Sequence, residues 1–388
     1  FAFKDVALTM LPYLITGARK KSGSDKTTLI LVATSGDTGK AALEGFKDVE
    51  GTEVIVLYPE GGVSDMQKLQ MQTTEGDNVH VIGIKGNFDD AQTAVKNIFG
   101  DREMVNKLSN MGYALSSANS INFGRLAPQI VYYVSAYIDL LMNGEFEKGE
   151  KMNFVVPSGN FGNVLAGYYA MRMGLPINQL IVASNKNNIL TDFFETGEYN
   201  ANREFHKTMS PSMDILISSN LERLLFEMMN RDPEKVRDLM KQLKENGRYE
   251  IDSDLLYDCF GEFMGYFSTE EETASVMENF LSEYNYLLDP HTAVGVSAYF
   301  KYLTETVDET PTVIVSTANP YKFPQDVLAC VGRQDEANAQ KAIRKLELFS
   351  GSSVPDGIKE LFKKPILHDI VAEKDEIKDA ILKILEKE

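Results

Sequence analysis

Two loops, one arginine and one amine carry the chemistry available to this chain. Val155 to Gly167 reads VVPSGNFGNVLAG, a short apolar run, a loop of small and amide residues, and an apolar run with helical spacing. A loop of that kind ends at a helix N-terminus, where unpaired N–H groups and the positive end of the helix dipole favour a phosphate dianion. Ser158 and Asn160 add side-chain donors, and Gly159 and Gly162 let the backbone approach an anion closely. Thr34 to Gly39 (TSGDTG) repeats the arrangement after the strand Thr28 to Ala33, and Ser35, Gly36, Asp37 and Thr38 can offer N–H and hydroxyl donors to a carboxylate. Each loop also reads as an ordinary strand-to-helix turn. Arg125 opens an apolar helix running to Leu141, where a cation opposes the helix dipole unless it has an anion to hold; a surface arginine is the alternative. Lys4, beside the aromatic Phe3, is either a solvated terminal lysine or a buried amine able to act as nucleophile and base.

The elements that must position these groups alternate between strand and helix. Strands are expected at 28–33, 53–58, 79–84, 152–156, 180–183 and 312–315, with helices between them. Alternation of this kind makes parallel sheets covered by helices, with binding loops at the carboxyl ends of the strands. Other polar loops end strands at Ser184 to Asn188 and at Ser316 to Pro320, and Asp289-Pro290-His291-Thr292 opens a helix to Tyr302. Ahead of the first strand, Asp5 is expected to cap a helix from Val6 to Lys20, kinked at Pro12, that turns Val6, Leu8, Met10, Leu11, Leu14 and Ile15 inward. Between about Tyr199 and Tyr286 only helical stretches are read, so residues 199–286 are expected to form a helical insertion. The expected division is an α/β core of residues 1–198 and 287–335, built of two intertwined lobes with the smaller around 28–125, and a helical tail at 336–388. The apolar opening without a methionine reads as a chain missing its beginning.

Composition excludes several functions. The 388 residues can bury a sizeable core, and 39 basic against 57 acidic residues, a net charge of -18, argue against nucleic acid and anionic membranes as partners. No apolar run approaches the roughly 20 residues of a membrane span, and no leader marks export. Cys259 and Cys330 are unpatterned, as expected in a reducing, cytoplasmic setting, and the four histidines show no metal-ligand spacing, so no metal is expected.

Four polar strand-end loops and a lysine beside an aromatic find common use in a ligand with a phosphate, an aldehyde and a ring nitrogen, which is pyridoxal phosphate. In this setting FAFKD, ATSGDTG, ANSIN followed by Arg125, SGNFGN, DPHTAVG and STANP resemble, in order, the motifs of threonine synthases, which are fold type II pyridoxal phosphate enzymes. The resemblance spans nearly the whole chain. It implies pyridoxal 5'-phosphate as cofactor and O-phospho-L-homoserine as small-molecule substrate, with threonine and phosphate as products and a monomer or weak homodimer as the assembly. It also implies that Lys4 is the Schiff-base lysine, packed beside Phe3. Ser158, Gly159, Asn160, Phe161, Gly162 and Asn163 would hold the cofactor phosphate. Thr317, with Ser316, would meet the pyridine nitrogen. Ser35, Gly36, Asp37 and Thr38 would receive the substrate carboxylate. Asn119, Asn122 and Arg125 would grip the substrate phosphate, and Asn185 and Asn188 would line the same pocket.

Three departures from the family pattern stand out. The region that precedes the lysine in relatives is not in this chain, Asp37 stands where other type II enzymes carry an asparagine near the 3-oxygen of the cofactor, and Asn319 stands where many threonine synthases show histidine. A serine or threonine dehydratase of the same fold would not need Arg125, and a non-catalytic phosphate-binding relative would not need Lys4.

Overall fold

The computed structural model describes residues 2–34, 36–252, 255–256, 261–332 and 334–386. Ser35 and Cys259 therefore lie outside the described residues. The chain forms two compact units, one of residues 1–125, 338–344 and 353–388, the other of residues 126–337 and 345–352.

The first unit opens with α1 (Phe3–Ser22), followed by β1 (Thr27–Ala33), α2 (Asp37–Phe46), β2 (Thr52–Pro59), α3 (Asp65–Gln72), β3 (Val79–Ile84), α4 (Phe88–Gly100), α5 (Arg102–Asn110) and β4 (Tyr113–Ser116). Its sheet is parallel, ordered β3-β2-β1-β4, with Ile370–Ala372 added beside β3. Both faces are covered, so β1 and β2 read as continuous apolar runs. Period-two alternation sends Leu29, Leu31 and Ala33 to one buried cluster and Ile30 and Val32 to another.

α1 departs from expectation. It begins at Phe3, so Phe3 and Lys4 lie in its first turn rather than ahead of it, and Asp5 accepts a hydrogen bond from the Ala2 N–H at 2.8 Å from within the helix. It buries Ala7, Leu8, Leu11 and Pro12, while Val6, Met10 and Leu14 are exposed. The cause is a close crossing on α2: a Cβ on Gly45 would lie 2.2 Å from the Leu8 carbonyl oxygen. Only glycine lets the two helix backbones approach so nearly, and that contact selects which face of α1 turns inward.

The second unit follows the short α6 (Phe123–Leu126), whose Arg125 ends the first unit, with α7 (Ile130–Met142), β5 (Met152–Pro157), α8 (Gly162–Arg172), β6 (Ile177–Ser184), α9 (Ile189–Thr196), β7 (Glu198–Asn200), α10 (Leu221–Met228), α11 (Pro233–Asn246), β8 (Arg248–Glu250), β9 (Phe263–Phe267), α12 (Glu270–Tyr284), α13 (Pro290–Thr306) and β10 (Thr312–Ile314). Its parallel sheet runs β10-β5-β6-β9, and β7 pairs with β8 antiparallel.

The expected helical insertion at 199–286 is corrected: it contributes β8 and the sheet strand β9, and it belongs to the second unit. β9 is hidden because Gly265 interrupts its apolar pattern; a Cβ there would lie 2.8 Å from the Thr191 Cα of α9. The expected helical tail at 336–388 is corrected too, since it supplies the strand Ile370–Ala372 and divides between the units. Among the described residues no helix is long and apolar enough to cross a membrane, and no group of three or more His, Cys, Asp or Glu could hold a metal ion.

Candidate active site

In the first unit the chemistry gathers where β1 ends and α2 begins. Thr34 accepts hydrogen bonds on its hydroxyl from the N–H groups of Gly36 and Gly39, each at 2.9 Å, and so sets the curl of the loop. Gly36 has φ 133°, and a Cβ there would overlap the Gln67 side chain at 2.2 Å. Gln67 belongs to the capping box of α3 and donates from Nε2 to Asp37 Oδ1 at 3.1 Å, both side chains being buried. The other oxygen, Asp37 Oδ2, lies 3.9 Å from Lys4 Nζ. That ammonium also lies 5.4 Å from the centroid of the Phe3 ring. The lysine is thus held between an aromatic face and a buried carboxylate.

Arg125 is 4% exposed. It donates from Nη1 to the Ala118 carbonyl at 2.9 Å and from Nη2 to the Thr38 hydroxyl at 3.4 Å, which joins it to the first turn of α2. Asn119 and Asn122 hold the loop that carries it. Asn119 donates to the Ala33 carbonyl at 2.9 Å, and Asn122 donates to the Ser117 carbonyl at 2.7 Å while accepting from Gly124 N–H at 2.9 Å. Within this unit the structure therefore brings together Phe3, Lys4, Gly36, Asp37, Thr38 and Arg125, with the two asparagines as their scaffold.

In the second unit β5 runs into Ser158-Gly159-Asn160-Phe161, and Phe161 takes the left-handed conformation (φ 61°) as α8 begins at Gly162. The first N–H groups of that helix have no intrahelical acceptor. The loop's carbonyls are turned away and held: Gly159 O accepts from the Ser218 hydroxyl at 2.8 Å and Asn160 O from Asn220 Nδ2 at 2.9 Å. Asn163 is buried, and its Oδ1 accepts from the Tyr133 hydroxyl at 2.9 Å. Burial pushes the Tyr133 phenol well above its usual range, so it stays a donor. Asn163 Nδ2 is a buried donor without a partner.

At the end of β10, Thr317 is 6% exposed and its hydroxyl is likewise buried without a partner, whereas Ser316 is exposed. An unmet buried hydroxyl costs free energy until a ligand supplies the second half of the bond. Asn319 caps the turn at Pro320–Lys322 by accepting from Tyr321 N–H at 3.0 Å.

Asn185 and Asn188 anchor the loop that ends β6. Asn185 donates to Thr208 and Asp214 at 2.8 Å and accepts from Asn187 N–H at 3.0 Å. Asn188 donates to Asp192 at 3.0 Å and accepts from Arg203 at 3.2 Å. Both amides join the Ser184 to Asn188 loop to residues between Asp192 and Asp214. Thr34, Gln67, Ser218 and Asn220 were not read as functional in the sequence; only Thr34 left a local signal, a hydroxyl two residues ahead of a loop glycine.

Residues 1–318 match the family described as pyridoxal-phosphate dependent enzyme, and residues 292–381 match threonine synthase, C-terminal. Threonine synthase of Saccharomyces cerevisiae is 37% identical over 379 residues, covering 92% of this chain and 72% of its own length. The chain belongs to the threonine synthase family. The crystal structure of a pyridoxal phosphate-bound threonine synthase from Brucella melitensis superposes with a TM-score of 0.85 at 39% identity, covering 99% of this chain and 75% of that one. Threonine synthase-like 1 of Homo sapiens is 40% identical over 363 residues, and this chain spans about half, 48%, of its length.

The residues present fit the cofactor that gives the wider family its description. The helix start at Gly162 and the orphaned Asn163 amide suit a phosphate, the orphaned Thr317 hydroxyl suits a ring nitrogen, and Lys4 is an amine able to meet an aldehyde.

Proposed function

We propose that this chain is a pyridoxal phosphate-dependent threonine synthase, a cytoplasmic carbon–oxygen lyase that converts O-phospho-L-homoserine and water to L-threonine and phosphate. The observation that carries the reading is Arg125: a buried guanidinium held by the Ala118 carbonyl beside the first turn of α2, a planar cation suited to a substrate that bears its own phosphate. When bound, the cofactor supplies the electron sink that lets a proton leave the substrate Cα.

The chain's own residues do the rest. The N–H groups at the start of α8, with Ser158 and Asn163, hold the cofactor phosphate; Thr317 donates its hydroxyl to the ring nitrogen. The Thr317 hydroxyl would serve there as a hydrogen-bond donor, being far too weak an acid to transfer its proton at working pH. Lys4 provides the amine that anchors the cofactor and, once freed, the base that takes the proton from the substrate Cα and returns protons at the following carbons. Gly36, Asp37 and Thr38 form the loop that receives the substrate carboxylate at the start of α2. Arg125 binds the departing phosphate.

The test is a side-by-side assay of the purified protein on O-phosphohomoserine, serine and threonine. Release of phosphate with threonine formed is the expected result. Keto acid from serine or threonine in its place would make the chain a dehydratase, and no product from any of the three would leave it a binding protein.

A further inference from the structure

The DPHT stretch at Asp289 to Thr292 has no part in the chemistry above, yet it is buried throughout and polar at three of four positions. Asp289 caps α13 by accepting from the N–H groups of His291 and Thr292 at 2.9 and 3.2 Å. The same carboxylate receives the Nδ1–H of His291 at 3.2 Å, and its second oxygen receives the Thr292 hydroxyl. With its proton on Nδ1, His291 has only a lone pair on Nε2, and that lone pair accepts from Ser212 N–H at 3.1 Å. Thr292, whose proton is committed to Asp289, accepts a long hydrogen bond from Thr317 N–H at 3.4 Å.

Ser212 begins a strap that runs to Asn220 and lies on the Ser158 to Asn163 loop. A Cβ on Gly159 would lie 3.1 Å from the Ser212 carbonyl oxygen and 3.2 Å from the Met213 Cα. At its far end the strap donates from Ser218 and Asn220 to the carbonyls of Gly159 and Asn160. One chain of bonds within the second unit therefore runs from the loop through the strap to His291, and from Asp289 through Thr292 to the backbone of Thr317.

We infer that His291 is a positioning residue that, through Ser212 and the 212–220 strap, holds the phosphate loop and the Thr317 hydroxyl in the arrangement that grips the cofactor at its two ends. The inference rests on the cofactor reading above. The strap turns the loop's carbonyls toward itself, so its N–H groups are left facing the anion; if the strap shifts, the carbonyls are free to rotate back. His291 touches neither group directly, and its effect is therefore on affinity before it is on chemistry.

The test is equilibrium binding of two probes to the cofactor-free full chain: pyridoxal phosphate, and 4'-deoxypyridoxine phosphate, which has the ring nitrogen and phosphate but no aldehyde for Lys4. His291→Asn keeps a donor near Asp289 and loses the acceptor for Ser212. His291→Gln places an amide oxygen where Nε2 lies and restores that acceptor. His291→Asn should weaken the deoxy probe about five- to tenfold, the scale of one lost hydrogen bond, and His291→Gln should bind it within about twofold of wild type. Ser218→Ala, a smaller change at the other end of the strap, should weaken it in the same direction, with the thermal midpoint of the cofactor-free protein read alongside because the Gly159 carbonyl loses its donor. Wild-type affinity in both His291→Asn and Ser218→Ala, or a His291→Gln as weak as His291→Asn, would overturn the inference while leaving the cofactor reading intact. Wild-type protein that binds neither probe would overturn both.

Discussion

Lys4 Nζ and Asp37 Oδ2 are 3.9 Å apart, and the carboxylate is buried and steadied by Gln67 on its other oxygen. A neighbouring carboxylate favours the ammonium form of an amine, yet an amine attacks an aldehyde only after shedding its proton. Asp37→Asn retains an oxygen for Gln67 and removes the charge. The variant should bind pyridoxal phosphate covalently about threefold faster or more at neutral pH, read by borohydride trapping over time. Equal trapping rates would mean that Asp37 acts through shape alone.

Lys4→Ala separates binding from chemistry. The loop at Ser158 to Asn163 is untouched, so the variant should still take up the cofactor, while turnover falls to background and borohydride leaves no label on the protein. Threonine formation near the wild-type rate would remove Lys4 from the mechanism.

The sequence made some of this legible and hid the rest for physical reasons. Buried parallel strands such as β1 and β2 announce themselves because both faces are apolar, and the SGNFGN and TSGDTG loops follow from small residues between a strand and a helix. The inward face of α1 was hidden. Apolar residues lie all around that helix, so its period cannot choose a face; the crossing at Gly45 chooses it, and that is a tertiary contact. Likewise Gln67 meets Asp37 across 30 residues, and Ser218 meets Gly159 across 59, separations at which no local pattern survives. Asn185 reaches Thr208 across 23 residues and Arg203 reaches Asn188 across 15, partners that no strand-end pattern announces.

Thr317→Val tests the orphaned hydroxyl. Removing a buried donor that has no protein partner should leave the cofactor-free protein at least as stable, while pyridoxal phosphate binds about three- to tenfold more weakly for want of one hydrogen bond. Thermal melts with and without cofactor read both effects. A variant that is destabilised without cofactor and unchanged in affinity would place the hydroxyl's partner elsewhere.

Burial pulls the His368 imidazole below its ordinary value of 6.5, against the opposing effect of its Nε2 bond to the Thr74 carbonyl at 2.8 Å. The folded chain thus resists a proton that the unfolded chain accepts. The associated stability is present above about pH 6.5 and is lost as the pH falls through the lower folded value. His368→Gln keeps a donor for Thr74 and cannot titrate, so its stability should fall less than that of wild type between about pH 7.5 and 5.5, by up to roughly 1.4 kcal/mol per pH unit. Parallel urea melts at several pH values check this, and identical slopes would assign the acid sensitivity to other groups.

In the proposed reading, Arg125 carries the distinction between a synthase and other enzymes of this fold. Its guanidinium can hold a phosphate with charge-assisted hydrogen bonds, each worth roughly 1.5 to 3 kcal/mol, and has no comparable partner on the side chain of serine or threonine. Arg125→Ala should therefore lower kcat/KM for O-phosphohomoserine by at least about tenfold, the factor that roughly 1.4 kcal/mol implies. The truncation also leaves the Ala118 carbonyl without the donor it has at 2.9 Å, so the cofactor absorbance and the melting midpoint must be read alongside the rate. Arg125→Lys preserves the charge without the planar fork that reaches Ala118 and Thr38 together, and it should recover only part of the loss. Were Arg125→Ala to release phosphate at the wild-type rate with its cofactor in place, the fold and the cofactor would stand, and the substrate phosphate would have to be bound by another group.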